Sequence, residues 1–345
     1  MYGTIELIRQ GLNISLIEDV DIGLDSLKSR SFWGVLNTAF YKLLGIPLWM
    51  LKVFLGHEIR QTLNGFETIL VTTYSFGISF GLLKRVGLRR PSVVFIAMGL
   101  LEKATKTHIV WTYRLIFRDV QICALSQTEA NFLEQKLHTE ISAMPFGVDV
   151  DFWHPSLKQK SSHSPNEDFV LSIGNDRHRD YHTLISAWKL SYPKLVIVTK
   201  LSLHITSSNI ELRYGDWHSQ SLDDSEIRNL FWKSKFVIIP IRSTHQPSGQ
   251  SATLQAMACG KSVILPDFDG LWDRQLLVDG KTVVLAGKPG SVEGVQSAIE
   301  RLLSNTDKSE TIGLQASKMV TANLSSVHMA DRLRTILQSV ASHSC

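Results

Sequence analysis

The sequence has only three cysteines, Cys123, Cys259 and Cys345, and they lie too far apart for any metal-ligand spacing. Two of them sit in apolar surroundings, which suits a chain kept in a reducing compartment rather than one stapled by disulfides. The N-terminus lacks the basic-then-apolar layout of a secretory leader, so a cytoplasmic location is expected. Also missing is an unbroken run of about 20 apolar residues, the length a membrane-crossing helix needs. The nearest stretch, residues 32–55, is rich in aromatics but broken by Lys42, Pro47 and Lys52. It fits two readings: a pair of core helices, or a helix lying in a membrane interface. Acidic residues are scarce between Ser26 and Arg118, where three (Glu58, Glu67 and Glu102) stand against thirteen Lys and Arg. Such an excess draws an anionic surface, either nucleic acid or the inner leaflet of a membrane. No nucleic-acid-binding motif accompanies it.

What is present is globular: 345 residues with 44% apolar and 20% charged side chains, enough for about two domains. Short apolar runs rich in β-branched residues alternate with helix-forming stretches, which predicts parallel sheets. In the N-terminal half the pattern predicts a first helix up to Leu12 and strands over 14–17, 68–73, 92–97 and 120–125. A helix is expected over 77–86, and Ser126 with Glu129 reads as the cap of another ending near Leu137. No strand with a Gly-rich turn precedes the first helix, so either the first strand of a doubly wound sheet is missing or the domain is built differently. Residues 156–168 are polar and aperiodic and make the best linker. Beyond them, strands are expected over 169–173, 195–198, 210–214, 236–241, 262–265 and 282–285. A helix capped by Ser291 and a helical tail over 310–340, broken near Leu324, close the chain.

The strand over 236–241 leads through Pro247, Ser248 and Gly249 into a helix that stops at Gly260. The loop opens onto the helix N-terminus, where unpaired N–H groups and the helix dipole favour an anion such as phosphate. An ordinary parallel-sheet crossover with a glycine turn is the other reading of this stretch. Arg177 and Arg179 follow the strand over 169–173 and face the same crevice, and guanidinium suits phosphate oxygens as well as surface ion pairs. His178, His182, His218 and His245 are general-base candidates, though each also reads as a plain loop histidine. Asp267-Phe268-Asp269 ends a strand as a metal-binding Asp-x-Asp does, but the same triplet recurs at Asp19 and Asp149.

Three landmarks then fall in order: Gly147-Val148-Asp149 with Phe152 and Pro155, Ile173-Gly174 through Arg179-Asp180-Tyr181, and Leu254-Gln255-Ala256-Met257-Ala258-Cys259-Gly260. Together they resemble the retaining glycosyltransferases of family 4, more closely from Val120 onward than before it. The resemblance implies an α/β chain with the GT-B fold, two Rossmann-like domains facing across a cleft. Residues 1–153 would bind the acceptor, 154–168 would link, and 169–345 would bind the nucleotide sugar, with the last helix packing back on the first domain. It further implies transfer of a sugar, a hexose by class, from a nucleotide diphosphate donor with retention and with no metal or other cofactor. Arg179 would aid departure of the diphosphate. Gly174, Asn175, Arg177, Gln246, Ser248, Gly249, Gln250, Ser251 and Gln255 would line the donor site, with the N–H groups of Gly249, Gln250 and Ser251 receiving the distal phosphate.

The sequence departs from that family at one point. A Glu-x7-Glu pair holds sugar and ribose there, whereas Pro247 and Gln255 occupy those positions here. Gln255 retains an amide for a ribose hydroxyl, but Pro247 has neither a polar side chain nor an N–H. Gln246, Ser248 and Gln250 become the nearest candidates for the sugar. The lost carboxylates also leave open a weakly catalytic or non-catalytic nucleotide-sugar-binding subunit. The expected partners are a nucleotide sugar, a glycan or lipid-linked acceptor and, through residues 26–118, an anionic membrane surface, with no nucleic acid.

Overall fold

The computed structural model describes residues 3–17, 38–43, 46, 61, 63–87, 91–102, 105–154, 168–216 and 222–342. Most of the stretch 32–55, the Asp19 triplet, His218, Pro155 and residues 156–167 of the expected linker lie outside the described residues. The described residues form two compact units, residues 3–145 with 330–342, and residues 146–329. Among them no helix is long and apolar enough to cross a membrane.

The first unit opens with α1 (Thr4–Arg9), which buries Leu7 and is tied to the last helix by Gln10 Nε2 donating to Asp331 Oδ1 at 2.7 Å. Then come β1 (Thr68–Val71), α2 (Tyr74–Arg85), β2 (Ser92–Ala97), α3 (Thr107–Ile116), β3 (Gln121–Ala124), α4 (Gln127–Leu137) and β4 (Ile141–Ala143). The four strands pair in parallel in the order β1-β2-β3-β4. Every residue of β2 is buried, as a strand covered on both faces requires. The strand expected over 14–17 is absent. That stretch is irregular, with Leu16 and Ile17 exposed, because an apolar alternation without a neighbouring strand has no ladder to join.

The second unit starts where Val148 pairs with Ser325. Val148 N donates to Leu324 O at 3.0 Å and Ser326 N to Val148 O at 2.8 Å, so the break expected near Leu324 is where two helix ends meet the incoming chain. Gly147 stands here because a Cβ would come within 2.3 Å of Ser325 O. The elements that follow are β5 (Phe169–Ile173), α5 (Tyr181–Ala187), β6 (Lys194–Val198), β7 (Ile210–Arg213), α6 (Asp224–Lys233), β8 (Val237–Ile238), α7 (Gln250–Ala258), β9 (Val263–Leu265), β10 (Val284–Leu285), α8 (Val292–Leu303), α9 (Thr306–Asn323) and α10 (Ser326–Ser342). Ser291 caps α8 as expected. The strands run parallel in the order β10-β9-β8-β5-β6-β7. Side chains alternate between two cores: Phe169, Leu171 and Ile173 pack with α6, α7 and α9 on one face, and Val170 packs with α5 and α8 on the other. Strand order reverses between β5 and β8, and the crevice beyond the C-terminal ends of two such strands is where open α/β sheets bind ligands.

Candidate functional site

Arg179 lies in that crevice. It follows β5, and the loop carrying it is stitched to the chain after β8: Asp180 N donates to Pro240 O at 3.0 Å and Arg242 N to His178 O at 2.8 Å. Its side chain is only 4% exposed, and its charge is met by Asp176, whose Oδ2 lies 3.3 Å from Nε. That contact lacks hydrogen-bond alignment, so Nε and Nη1 are both buried without a hydrogen-bond partner. A buried guanidinium short of partners is costly in the empty protein and calls for a ligand or water to complete it. Two glycines make the room. A Cβ on Gly174 (φ 148°) would fall 2.0 Å from Nε, and one on Gly249 (φ 77°) would fall 2.6 Å from Nη1.

Gly249 is also the N-cap of α7, in the left-handed conformation and with no side chain capping the helix. Among the described residues the N–H groups of Gly249 and Ser251 meet no backbone acceptor, while Gln250 N donates to Pro247 O at 3.2 Å. Of the expected trio of phosphate-facing N–H groups, that of Gln250 is engaged by the turn through Pro247. The helix start and the buried cation point at the same place, the combination that binds an anion.

The other expected residues separate. Gln250 is buried, Ser248, Gln246 and Gln255 are half-buried, and Arg177 is exposed, unlike Arg179. Asn175 is committed within the protein: its Nδ2 donates to Gly215 O at 2.7 Å, and its Oδ1 accepts from Lys200 N at 2.7 Å and Thr199 Oγ1 at 3.1 Å. Ser248 Oγ donates to Asp176 Oδ1 at 2.7 Å. Asn175 and Ser248 thereby tie the loops around the site to one another. His178 is half-buried, and desolvation, with Arg177 adding to it, pushes its pKa below the ordinary value, so it stands neutral at pH 7.

The stretch running from Arg179 through α7 and onward, residues 179–336, matches the model of the family described as glycosyl transferase-like. The match covers 158 of the 345 residues. The structure as a whole is similar to sucrose-phosphate synthase from Thermosynechococcus elongatus, with TM-score 0.71 and 15% identity over 88% of this chain and 79% of that one. It is also similar to Anabaena HepE in complex with UDP and glucose (TM-score 0.66, 17% identity, 87% and 83% covered) and to a glycosyltransferase from Rickettsia africae (0.63, 14%, 98% and 87%). The fold is GT-B, with two Rossmann-like domains. No curated protein matches the sequence.

Within this glycosyl transferase-like segment the residue that sequence reasoning missed is Asp176. One carboxylate faces Arg179, accepts from Ser248 Oγ and accepts from His178 N at 3.0 Å. It thereby fixes the guanidinium and joins the loops after β5 and β8. The Asp176-x-x-Arg179 spacing was the one available signal. Ser248, 72 residues away in sequence, meets it only in the fold.

Proposed function

We propose that this protein transfers a sugar from a nucleoside diphosphate sugar to an acceptor hydroxyl, with retention. The observation that carries this reading is the buried, partner-short guanidinium of Arg179 set against the N-terminus of α7. The donor's diphosphate sits there. As the bond from the anomeric carbon to the distal phosphate oxygen breaks, its electron pair leaves with the nucleoside diphosphate, and the growing charge meets Arg179 and the N–H groups of Gly249 and Ser251. The acceptor oxygen forms its new bond on the face the phosphate leaves, and its proton goes to the departing phosphate. In this reading Arg179 supplies the cation, and turnover persists in excess chelator. The complexes with UDP seen for HepE support the donor class.

The test is calorimetry with UDP, GDP and ADP, followed by turnover and hydrolysis assays with the matching hexose donors. One nucleotide is expected to bind, and Arg179→Ala to weaken it at least about tenfold, since hydrogen bonds to a charged group contribute roughly 1.5–3 kcal/mol. Unchanged affinity in that variant would sink the reading. A donor that binds but is never turned over would instead favour a nucleotide-sugar-binding subunit, the reading supported by Pro247 and Gln255.

We place the acceptor at a membrane, as a glycan or lipid-linked substrate met at the cytoplasmic face. Support comes from the first unit. Trp111 and Leu115 are exposed at 61% and 46%, His108 lies one turn before Trp111 on the same face of α3, and its Nε2 bonds Leu43 O at 2.9 Å, with Leu43 63% exposed. No acid occurs in α3 or residues 38–43, while Lys42 and, just before α3, Lys106 are exposed. Aromatic and aliphatic tips among cations suit an anionic bilayer interface. Co-sedimentation with phosphatidylglycerol vesicles but not phosphatidylcholine vesicles, weakened by Trp111→Ser, is the expected outcome. Equal behaviour with both lipids removes this part of the proposal.

A further inference from the structure

We infer that Asp176 is a positioning residue that stands in for the diphosphate when the site is empty and biases the site toward donor over product; this rests on the nucleotide-sugar reading above. A buried guanidinium needs a counter-charge in the free protein. Asp176 supplies it, with Oδ2 3.3 Å from Arg179 Nε, yet the contact makes no hydrogen bond and leaves Nε and Nη1 unmatched. Charge is balanced there and hydrogen bonding is not. A phosphate oxygen can take up those N–H groups as charge-assisted hydrogen bonds without the carboxylate having to move.

The carboxylate is pinned through its other oxygen. Asp176 Oδ1 accepts from Ser248 Oγ at 2.7 Å and from His178 N at 3.0 Å, and Arg179 N donates to Asp176 O at 3.1 Å, closing the turn. Ser248 immediately precedes Gly249, the N-cap of α7, so a fixed negative charge stands beside the helix start offered to the distal phosphate. Asp176 keeps 39% of its side chain exposed where Arg179 keeps 4%, so the cation is buried and the anion is open to solvent. Transfer changes the ligand's charge at this place. The donor's distal phosphate is esterified to the sugar, and once the sugar has gone the free terminal phosphate gains up to about one more negative charge at neutral pH. Repulsion from a fixed carboxylate grows with that charge. Asp176 therefore disfavours the nucleoside diphosphate more than the sugar donor, and it again balances Arg179 as the product departs.

The experiment is calorimetric titration of the wild-type protein and Asp176→Asn with UDP and UDP-glucose, GDP and GDP-mannose, and ADP and ADP-glucose. Asparagine keeps an oxygen for Ser248 Oγ and His178 N, so only the charge is lost. For the pair that binds, Asp176→Asn is expected to tighten the nucleoside diphosphate about tenfold and its hexose conjugate about threefold or less. The same variant should unfold at a lower temperature, and adding Arg179→Gln should restore part of that loss. If Asp176→Asn does not fold by itself, the comparison is made in the Arg179→Gln background, where no guanidinium needs a counter-charge and the same shift of product relative to donor is expected. Equal changes for both members of the pair, weaker binding of the nucleoside diphosphate, or undiminished stability overturns the assignment to Asp176 while the diphosphate site stands. If the wild type binds none of these nucleotides, the donor reading fails and this assignment with it.

Discussion

Arg179 combines burial, positive charge and missing hydrogen bonds, a state that a folded protein tolerates only when neighbouring residues over-determine it. Asp176 supplies the counter-charge and Gly174 the space. The glycine is doubly required, by its φ of 148° and by the 2.0 Å approach of Nε to where a Cβ would stand. Gly174→Ala therefore has to displace the guanidinium as well as strain the backbone. The expected result is loss of stability by about 1–3 kcal/mol, read by chemical denaturation, with nucleoside diphosphate affinity reduced in the same variant. A variant that kept full affinity would show that Arg179 is not where the diphosphate is held.

At the scale of elements, α7 and α4 show two ways of starting a helix. α7 begins on Gly249 with no side-chain cap, which keeps its N-terminus open to a ligand. α4 begins on Ser126, whose Oγ accepts Glu129 N–H at 3.1 Å. The reciprocal half of the expected capping pair does not form. The Glu129 carboxylate instead accepts from Gly99 N at 2.9 Å and Leu125 N at 3.4 Å, tying together the ends of β2 and β3. Burial pushes its pKa up to about 7, against the partial opposition of those two hydrogen bonds. Because the folded value lies above the ordinary 4.5, the native state keeps a proton that the unfolded chain has already released, and stability falls as pH rises from about 4.5 through 7. Thermal unfolding of Glu129→Gln should lose most of the wild-type decline across that window, a difference on the order of 2 kcal/mol. Parallel pH profiles for the two proteins would place the titration elsewhere.

At the scale of the whole molecule, the chain leaves the first unit at Pro145 and returns to it at Ala330, part-way along α10. Ala330 and Leu333 are fully buried in that return, and a Cβ on Gly3 would meet Ala330 N at 3.1 Å. The C-terminal helix is therefore a structural member of the N-terminal unit. Leu333→Ala is expected to destabilise that unit by about 2–5 kcal/mol, the usual cost of a large-to-small change in a packed core. Hydrogen-exchange mass spectrometry should show faster exchange in β1 to β4 and little change in β5 to β9. Uniform acceleration in both units would contradict this division.

Much of this was determined by the sequence alone. Buried parallel strands such as Ser92–Ala97 and Phe169–Ile173 appear as unbroken β-branched runs, because a strand covered on both faces has no polar side to break the pattern. Local capping by Ser126 and Ser291 was legible for the same kind of reason: the interaction spans three residues. So was the glycine turn that opens α7. What only the tertiary structure decided depends on partners far apart in sequence. The alternation over 14–17 came to nothing because, among the described residues, no strand stands beside it. Asn175 and Ser248 turned inward because Gly215, Lys200 and Asp176 wait for them across loops. Arg177 and Arg179 look alike in the sequence, and burial against Gly174 and Gly249 separates them. Pattern and propensity act over a few residues, whereas the commitment of a polar side chain is settled by whichever group the fold brings within hydrogen-bond reach.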